Sequence, residues 1–361
     1  MLYLDHAATT PLLPEVKEAM CAAMDKFVGN SSAIHTPGHT VHEQIESARK
    51  KIAKLINAEP SEIIFTSGAT EGNNTVIRTF EGKNIAISDF EHPSVSAPAK
   101  KYAKKVLNLQ QLKEAQLVSV QLANHELGAI FPVQKYAQQA HNNNALIHTD
   151  ATQAIGKIPV DVKQLEVDYL TFSGHKFGAP AGTGVLYVKQ GAPISNLILG
   201  GHQENQHRAG THNLIGIIGL ARAVQYILEN DTPALYQKKI LPLRNSLGDQ
   251  IMAEIPNTTL NTFSEEYQTL PNMLNVNFKG AEGESIQLLL DNHDIIVSTG
   301  SACASTDGKP SPVLMALYND AEKAHSSIRF SLGLDTSQAD INYLMSVLPG
   351  IIKKLQGIST V

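Results

Sequence analysis

A lysine and an aspartate carry the first chemical signal in this chain. Lys176 follows Ser173-Gly-His, which closes the apolar run Asp168-Tyr-Leu-Thr-Phe172. Asp150 ends a second run, Ala145-Leu-Ile-His-Thr-Asp150, and is followed by Ala151-Thr-Gln153. Two strand-like runs that deliver polar side chains at their C-terminal ends are how an open α/β sheet builds a site. A lysine amine can hold an aldehyde as a Schiff base, and a carboxylate can keep a pyridine nitrogen protonated. The pair therefore suits pyridoxal phosphate, whose cationic ring accepts electrons from a substrate carbanion. The plain alternatives are a solvated loop lysine and a helix-capping aspartate.

Cys303 is the second reactive group. It lies just beyond a strand-like run, in Gly300-Ser-Ala-Cys303-Ala-Ser-Thr-Asp-Gly-Lys-Pro310. These small flanking residues predict an accessible thiol, as nucleophilic or sulfur-relay chemistry needs; a small apolar cysteine tucked under a strand end is the alternative. Ile63-Ile-Phe65 runs into Thr66-Ser-Gly68-Ala69-Thr70-Glu71, a strand and a hydroxyl-rich turn before a helix. That geometry aims backbone N–H groups at an anion, commonly a phosphate, though an ordinary βα turn reads the same way. It lacks the Gly-Lys-Ser/Thr ending of a nucleotide P-loop. His92, after the strand Asn84–Ser88, could lie flat over a cofactor ring or simply be solvated. Arg329, in Ile328-Arg-Phe-Ser331, offers a bidentate clamp for a carboxylate or one half of an ion pair.

The elements that must hold these groups alternate. Helical stripes run through Val16, Ala19, Met20, Ala23, Met24 and Phe27, and through Val41, Ile45, Ala48, Ile52 and Leu55. Cys21 flanks the first stripe and is expected to be a packed or half-buried structural thiol. Further strands are expected at Leu117–Leu122 and Val185–Val188, and a long helix from Leu214 to Leu228. Strands alternating with helices imply an α/β fold: a mainly parallel sheet flanked by helices on both faces. A polar, proline-containing stretch from Asn230 to Pro242 marks a boundary. It gives a large domain over 13–235 and a smaller α+β domain from 1–12 and 236–361, carrying the Cys303 loop at about 298–310.

At 361 residues, 42% hydrophobic and 17% charged, the chain has the composition of a soluble globular protein. Its net charge of -5 gives no reason to expect nucleic-acid binding, and no apolar run approaches the roughly 20 residues that span a bilayer. The first residues lack the features of signal and transit peptides, and two cysteines build no disulfide framework. A cytoplasmic protein is expected. Fourteen histidines show no closed ligand spacing, so no metal site is expected.

Taken together, these segments resemble the cysteine desulfurases, fold-type I pyridoxal phosphate enzymes of the class V aminotransferase group. The resemblance rests on Tyr3-Leu-Asp5-His-Ala-Ala-Thr-Thr-Pro11, Phe65-Thr-Ser-Gly-Ala-Thr-Glu71, Glu91-His92, Asp150-Ala-Thr-Gln153, Ser173-Gly-His-Lys176, Arg208-Ala-Gly-Thr211, Ser298-Thr-Gly-Ser-Ala-Cys303 and His325-Ser-Ser-Ile-Arg-Phe-Ser331. It implies that Lys176 holds the cofactor, Asp150 pairs with its ring nitrogen, His92 stacks on the ring and Gln153 reaches its phenolic oxygen. Ala69, Thr70, Ser173 and His175 would hold the phosphate, with Thr211 supplied by the second subunit of a homodimer. Arg329, with Asn30, would bind the carboxylate of L-cysteine, and Cys303 would take its sulfur as a persulfide. An iron–sulfur scaffold or a sulfur-carrier protein for tRNA thiolation would accept that sulfur.

Two departures from the family pattern stand out. His125 occupies the place of an asparagine that contacts the phenolic oxygen, and a histidine can donate the same hydrogen bond. The segment from His92 to Asn124 is also short, as though a helix–strand excursion were missing. A selenocysteine lyase or another class V enzyme is the nearest rival reading. A catalytically silent docking or sulfur-carrier subunit is the rival from another class.

Overall fold

The computed structural model describes residues 1–264, 266–300 and 310–359. They divide into a larger unit, 11–123 with 131–232, and a smaller one, 1–10 with 124–130 and 233–361. The first strand, β1 (Leu2–Tyr3), belongs to the smaller unit. In the larger unit come α1 (Pro14–Lys26), α2 (Thr36–Leu55), β2 (Ile63–Thr66), α3 (Ala69–Thr79), β3 (Asn84–Ile87), α4 (Pro93–Tyr102), β4 (Lys105–Leu107) and β5 (Leu117–Ser119). They are followed by α5 (Val133–Asn142), β6 (Leu146–Asp150), α6 (Val162–Leu165), β7 (Tyr169–Ser173), β8 (Gly184–Val188) and α7 (Leu214–Asn230).

The larger unit's sheet has seven strands among the described residues, in the order β2-β8-β7-β6-β5-β3-β4. Strands β4, β3, β5, β6 and β7 run parallel, while β8 pairs antiparallel with both β7 and β2. Burial on both faces explains why the central strands read as continuous apolar runs rather than as alternations. On one face Val76, Ile77, Val95 and Ala99 of α3 and α4 pack against Ile64, Ile85, Leu117 and Leu186. The strand expected over Leu117–Leu122 ends at Ser119, yet Val120 and Leu122 still donate to His148 and Asp150 of the neighbouring strand. The short segment after His92 holds α4 and the three-residue edge strand β4.

The smaller unit continues with α8 (Thr232–Leu235, on the boundary), α9 (Leu241–Glu254), β9 (Thr258–Leu260), β10 (Met273–Phe278), α10 (Gly283–Asp291) and β11 (Ile295–Ile296). It ends with α11 (Pro312–Tyr318), α12 (Ala321–His325), β12 (Ser327–Ser331) and α13 (Gln338–Ser359). Strands β12, β10 and β9 form an antiparallel sheet, and β1 pairs with β11 in parallel. Its core gathers Leu4, Ile251, Val276, Phe278, Phe330, Leu344 and Leu348. Among the described residues, no helix is long and apolar enough to cross a membrane.

Candidate active site

Asp150 is the last residue of β6, and Lys176 closes a single 3-10 turn, Gly174–Lys176, that follows the neighbouring strand β7. The lysine is only partly covered. Asp150 is buried and held from two sides: Asn73 Nδ2 donates to Oδ2 at 2.8 Å, and the Thr152 amide donates to Oδ1 at 2.9 Å.

Asn73 organises the polar layer beneath. It lies one turn inside α3 and is 0% exposed. Its second amide hydrogen goes to Ser94 Oγ at 2.8 Å, and its Oδ1 accepts from Thr171 Oγ1. With the Thr171 hydrogen spent there, His148 Nε2, 3.3 Å from Thr171 Oγ1, must be the donor of that pair. His148 Nδ1 then accepts from Ser119 Oγ at 2.8 Å. Burial pushes the His148 imidazole down to about 4, against the pull of Asp150, which suits this neutral tautomer. Helix α3 sits this close to the sheet because residue 72 is glycine: a Cβ there would stand 2.7 Å from Thr171 Cγ2.

His92 caps α4, its Nδ1 accepting from the Ser94 amide at 3.1 Å and lying 2.7 Å from Ser94 Oγ. An acceptor at Nδ1 leaves the ring proton of the neutral form on Nε2. Burial lowers the pKa of this imidazole; Asp150 opposes the shift and Lys176 adds to it. The preceding residue, Glu91, is also buried. Its Oε1 accepts from Ser88 Oγ and the Gln121 amide, and Oε2 has no partner among the described residues. Burial, with the nearby Asp150, pushes the Glu91 carboxyl up to about 8.

The turn between β2 and α3 is formed by Gly68, with φ +156°, and the Ala69 amide donates to Ser173 Oγ at 2.7 Å. Gly184 of β8 passes so close that a Cβ on it would stand 2.4 Å from the Gly68 Cα. Thr70 is exposed, Ser173 and Gln153 are buried, and His175 is half-buried. Burial, then Lys176 and Lys157, hold the His175 imidazole down at about 4.

These residues fit pyridoxal phosphate. A fixed buried carboxylate suits a pyridinium nitrogen, and the Thr152 hydroxyl is a buried polar atom with no partner among the described residues. The start of the eleven-residue helix α3, tied to Ser173 through the Ala69 amide and so to the turn that carries Lys176, suits a phosphate.

Thr211 is exposed, in a loop anchored by Glu204. Arg49 clasps that carboxylate with two 2.8 Å bonds, the Phe65 amide adds a third and His212 lies at 2.7 Å. Although burial pushes it up, hydrogen bonds from Arg49 and His212 draw the Glu204 carboxyl down to about 2. Asn30 is exposed, its Oδ1 accepting from the Ser32 amide.

His125 and Arg329 belong to the smaller unit. Arg329 is 2% exposed, donating from Nη2 to Asp5 Oδ1 at 2.7 Å and from Nη1 to the His125 carbonyl at 2.8 Å; Nε has no partner among the described residues. Arg329 is thus one half of an ion pair with Asp5. Cys303 lies outside the described residues. Cys21 is exposed rather than packed, because α1 buries only a narrow stripe, Val16 and Ala23.

Residue type and spacing alone give no role to Asn73, Glu91, His148, Lys157 or Thr171. A polar residue on the sheet-facing side of α3, four residues after Ala69, was the one signal available for Asn73.

The family model for aminotransferase class V matches residues 2–344. A cysteine desulfurase IscS of Dictyoglomus turgidum is 42% identical, over 99% of this chain and 96% of its own. Among solved structures, a NifS-like protein from Rickettsia africae superposes with a TM-score of 0.89 at 30% identity, covering 98% of this chain and 99% of that one. A protein titled SspA in complex with cysteine does so at 0.78 and 27% identity, covering 92% and 99%.

Proposed function

The chain belongs to the aminotransferase class-V family, and we propose that within it the protein is a pyridoxal phosphate-dependent cysteine desulfurase. It releases L-alanine from L-cysteine and keeps the sulfur as a persulfide on Cys303. The observation that carries this reading is a buried Asp150, locked by Asn73, at the end of the strand beside the one leading to Lys176. The similarity to cysteine desulfurases over 99% of the chain supports it.

Lys176 would hold the cofactor, Asp150 its ring nitrogen, His92 its ring face, and Gln153 and His125 its phenolic oxygen. Ala69, Thr70, Ser173 and His175 would hold its phosphate. Bound there, pyridoxal phosphate would draw electrons from the substrate Cα and ease loss of the Cα proton. The freed Lys176 amine takes that proton as a base. Asp150, unable to turn away, keeps a negative charge where the ring nitrogen needs one. His92, with Nδ1 engaged, keeps its proton on Nε2. Arg329 and Asn30 bind the substrate carboxylate. Cys303 Sγ, having given up its proton, forms the new S–S bond as the Cβ–S bond breaks; the electron pair stays with the three-carbon fragment, which takes one proton at Cβ, regains the one lost from Cα and leaves as alanine.

The protein acts as a homodimer in which Thr211 of one copy completes the phosphate site of the other. Its exposed position, and the exposed apolar Val28, Ile34 and Leu199 of the same unit, support that assembly. An iron–sulfur scaffold or a sulfur carrier takes the persulfide sulfur. The test is the visible absorption of purified protein before and after L-cysteine, with alanine and sulfide assayed in the presence of a reductant. A cofactor band missing in Lys176→Ala, with alanine release lost in Cys303→Ala, is the expected result. A protein that stays colourless with added pyridoxal phosphate overturns the reading.

A further inference from the structure

Lys157 is a buried amine with no evident employment. It is 1% exposed, and among the described residues its ammonium has one hydrogen-bond partner, the Lys176 carbonyl at 3.3 Å, and no carboxylate. Its place is firmly set. Gly156 before it has φ +76°, the Gly156 carbonyl accepts from Thr232 Oγ1 at 2.7 Å, and a Cβ on Gly156 would press Ile227 of α7. A buried cation without a counter-charge is costly, and one beside a second lysine is more so. The charge acting on Lys157 among the described residues is that of Lys176; Lys176 and Lys157 both act on the neighbouring His175, and Lys176 and Asp150 both act on His92. Burial, then Lys176, pushes the Lys157 amine down to about 7.

We propose that Lys157 is a positioning residue for Lys176: it holds the Lys176 carbonyl and, as a buried second amine close by, keeps the two from being protonated together. Once released from the cofactor, Lys176 is then an unprotonated base. Lysines beside another cationic group are activated in this way elsewhere. Coupled amines of this kind titrate as a pair, so the effect is read on the pair rather than on one residue. This inference rests on Lys176 being the cofactor lysine of the preceding reading.

The experiment measures trace acetylation of Lys176 against pH in the full chain freed of cofactor, read by peptide mass spectrometry. In wild type the midpoint should fall at least one unit below the ordinary lysine value of about 10.4. In Lys157→Met and Lys157→Gln it should rise by a unit or more, slowing Lys176 labelling at pH 8 about tenfold. Gln retains a donor for the Lys176 carbonyl, so wild-type labelling in Lys157→Gln alongside slow labelling in Lys157→Met would overturn the charge effect. So would midpoints that do not move, or a wild-type midpoint near 10.4, which decides the matter even where a variant fails to fold. In the cofactor-loaded enzyme, the same variants should shift to higher pH the half-rise in rate of the absorbance change caused by L-cysteine. Borohydride trapping separates the two readings: no cofactor fixed on Lys176 removes the cofactor assignment, whereas trapped cofactor with unmoved midpoints removes the role of Lys157.

Discussion

Replacing Asn73 by alanine tests whether the layer beneath Asp150 does what its geometry implies. The substitution removes one hydrogen bond to a carboxylate and two to hydroxyls, all in a fully buried place. A bond to a charged group contributes about 1.5–3 kcal/mol, and each buried partner left unmatched costs about 1–3 kcal/mol. Together they imply a loss of about 4 kcal/mol, since Ser94 and Thr171 hydroxyls can rotate toward other acceptors. The share that orients Asp150, about 2 kcal/mol, converts to roughly 30-fold weaker cofactor binding. Urea unfolding of the cofactor-free protein, followed by far-UV circular dichroism, reads the first quantity. An absorbance titration with pyridoxal phosphate reads the second. Thr171→Val is the control: it strands Asn73 Oδ1 and the His148 Nε2–H but leaves the Asn73–Asp150 bond, so it should cost about 2–4 kcal/mol and leave affinity within twofold. Asn73→Ala with an unchanged urea midpoint and unchanged affinity would refute the reasoning, as would a Thr171→Val that matches it in both.

Glu91 titrates at about 8 when folded, above its unfolded value of about 4.3, so the folded state binds more protons between those limits. Its contribution is therefore fully present below about 4.3 and is lost as pH rises toward about 8; Glu91→Gln should gain on wild type by up to about 1.4 kcal/mol per pH unit across that window in urea midpoints taken against pH. Parallel pH slopes for the two proteins would count against the buried acid. Glu204→Ala should destabilise by about 3–5 kcal/mol because it strands the Arg49 guanidinium, and Arg49→Met with Glu204→Met should recover much of that loss in the same unfolding assay. Gly184→Ala forces a Cβ onto the Gly68 backbone, which cannot swing aside as a side chain would. We expect a cost of about 1–3 kcal/mol or more and weaker pyridoxal phosphate binding, against a neutral outcome if the turn has room to move.

Much of this was legible in the chain itself. Val41, Ile45, Ala48 and Ile52 are buried as their spacing requires, and the central strands follow their apolar runs to within a few residues. Asp150 and Lys176 come to neighbouring strand ends because two such runs, one followed by a glycine turn, pair in parallel. What escaped depends on tertiary pairing rather than local pattern. Strand β4 begins with Lys105, exposes its first two residues and lacks an apolar run; it is a strand because β3 offers it a partner. Asn73, His148 and Thr171 sit far apart in the chain and read as ordinary polar residues until a helix and two strands bring them into one layer. Cys21 was misjudged because a half-turn's offset on a thin apolar stripe is enough to reach solvent.

The pairing of β1 with β11 has a bearing on how the chain comes off the ribosome. Leu2 lies against Ile295, so about 290 residues must be made after one strand before the other exists. At about 5–20 residues per second, that is a wait on the order of 15–60 s. Through most of synthesis, Leu2 and Leu4, both buried in the finished fold, have no strand β11 to cover them. The larger unit's sheet, with all its strands made by residue 188, is complete long before then. The smaller unit is therefore the last to close, and its earliest-made strand is a loose apolar segment for a chaperone to shield.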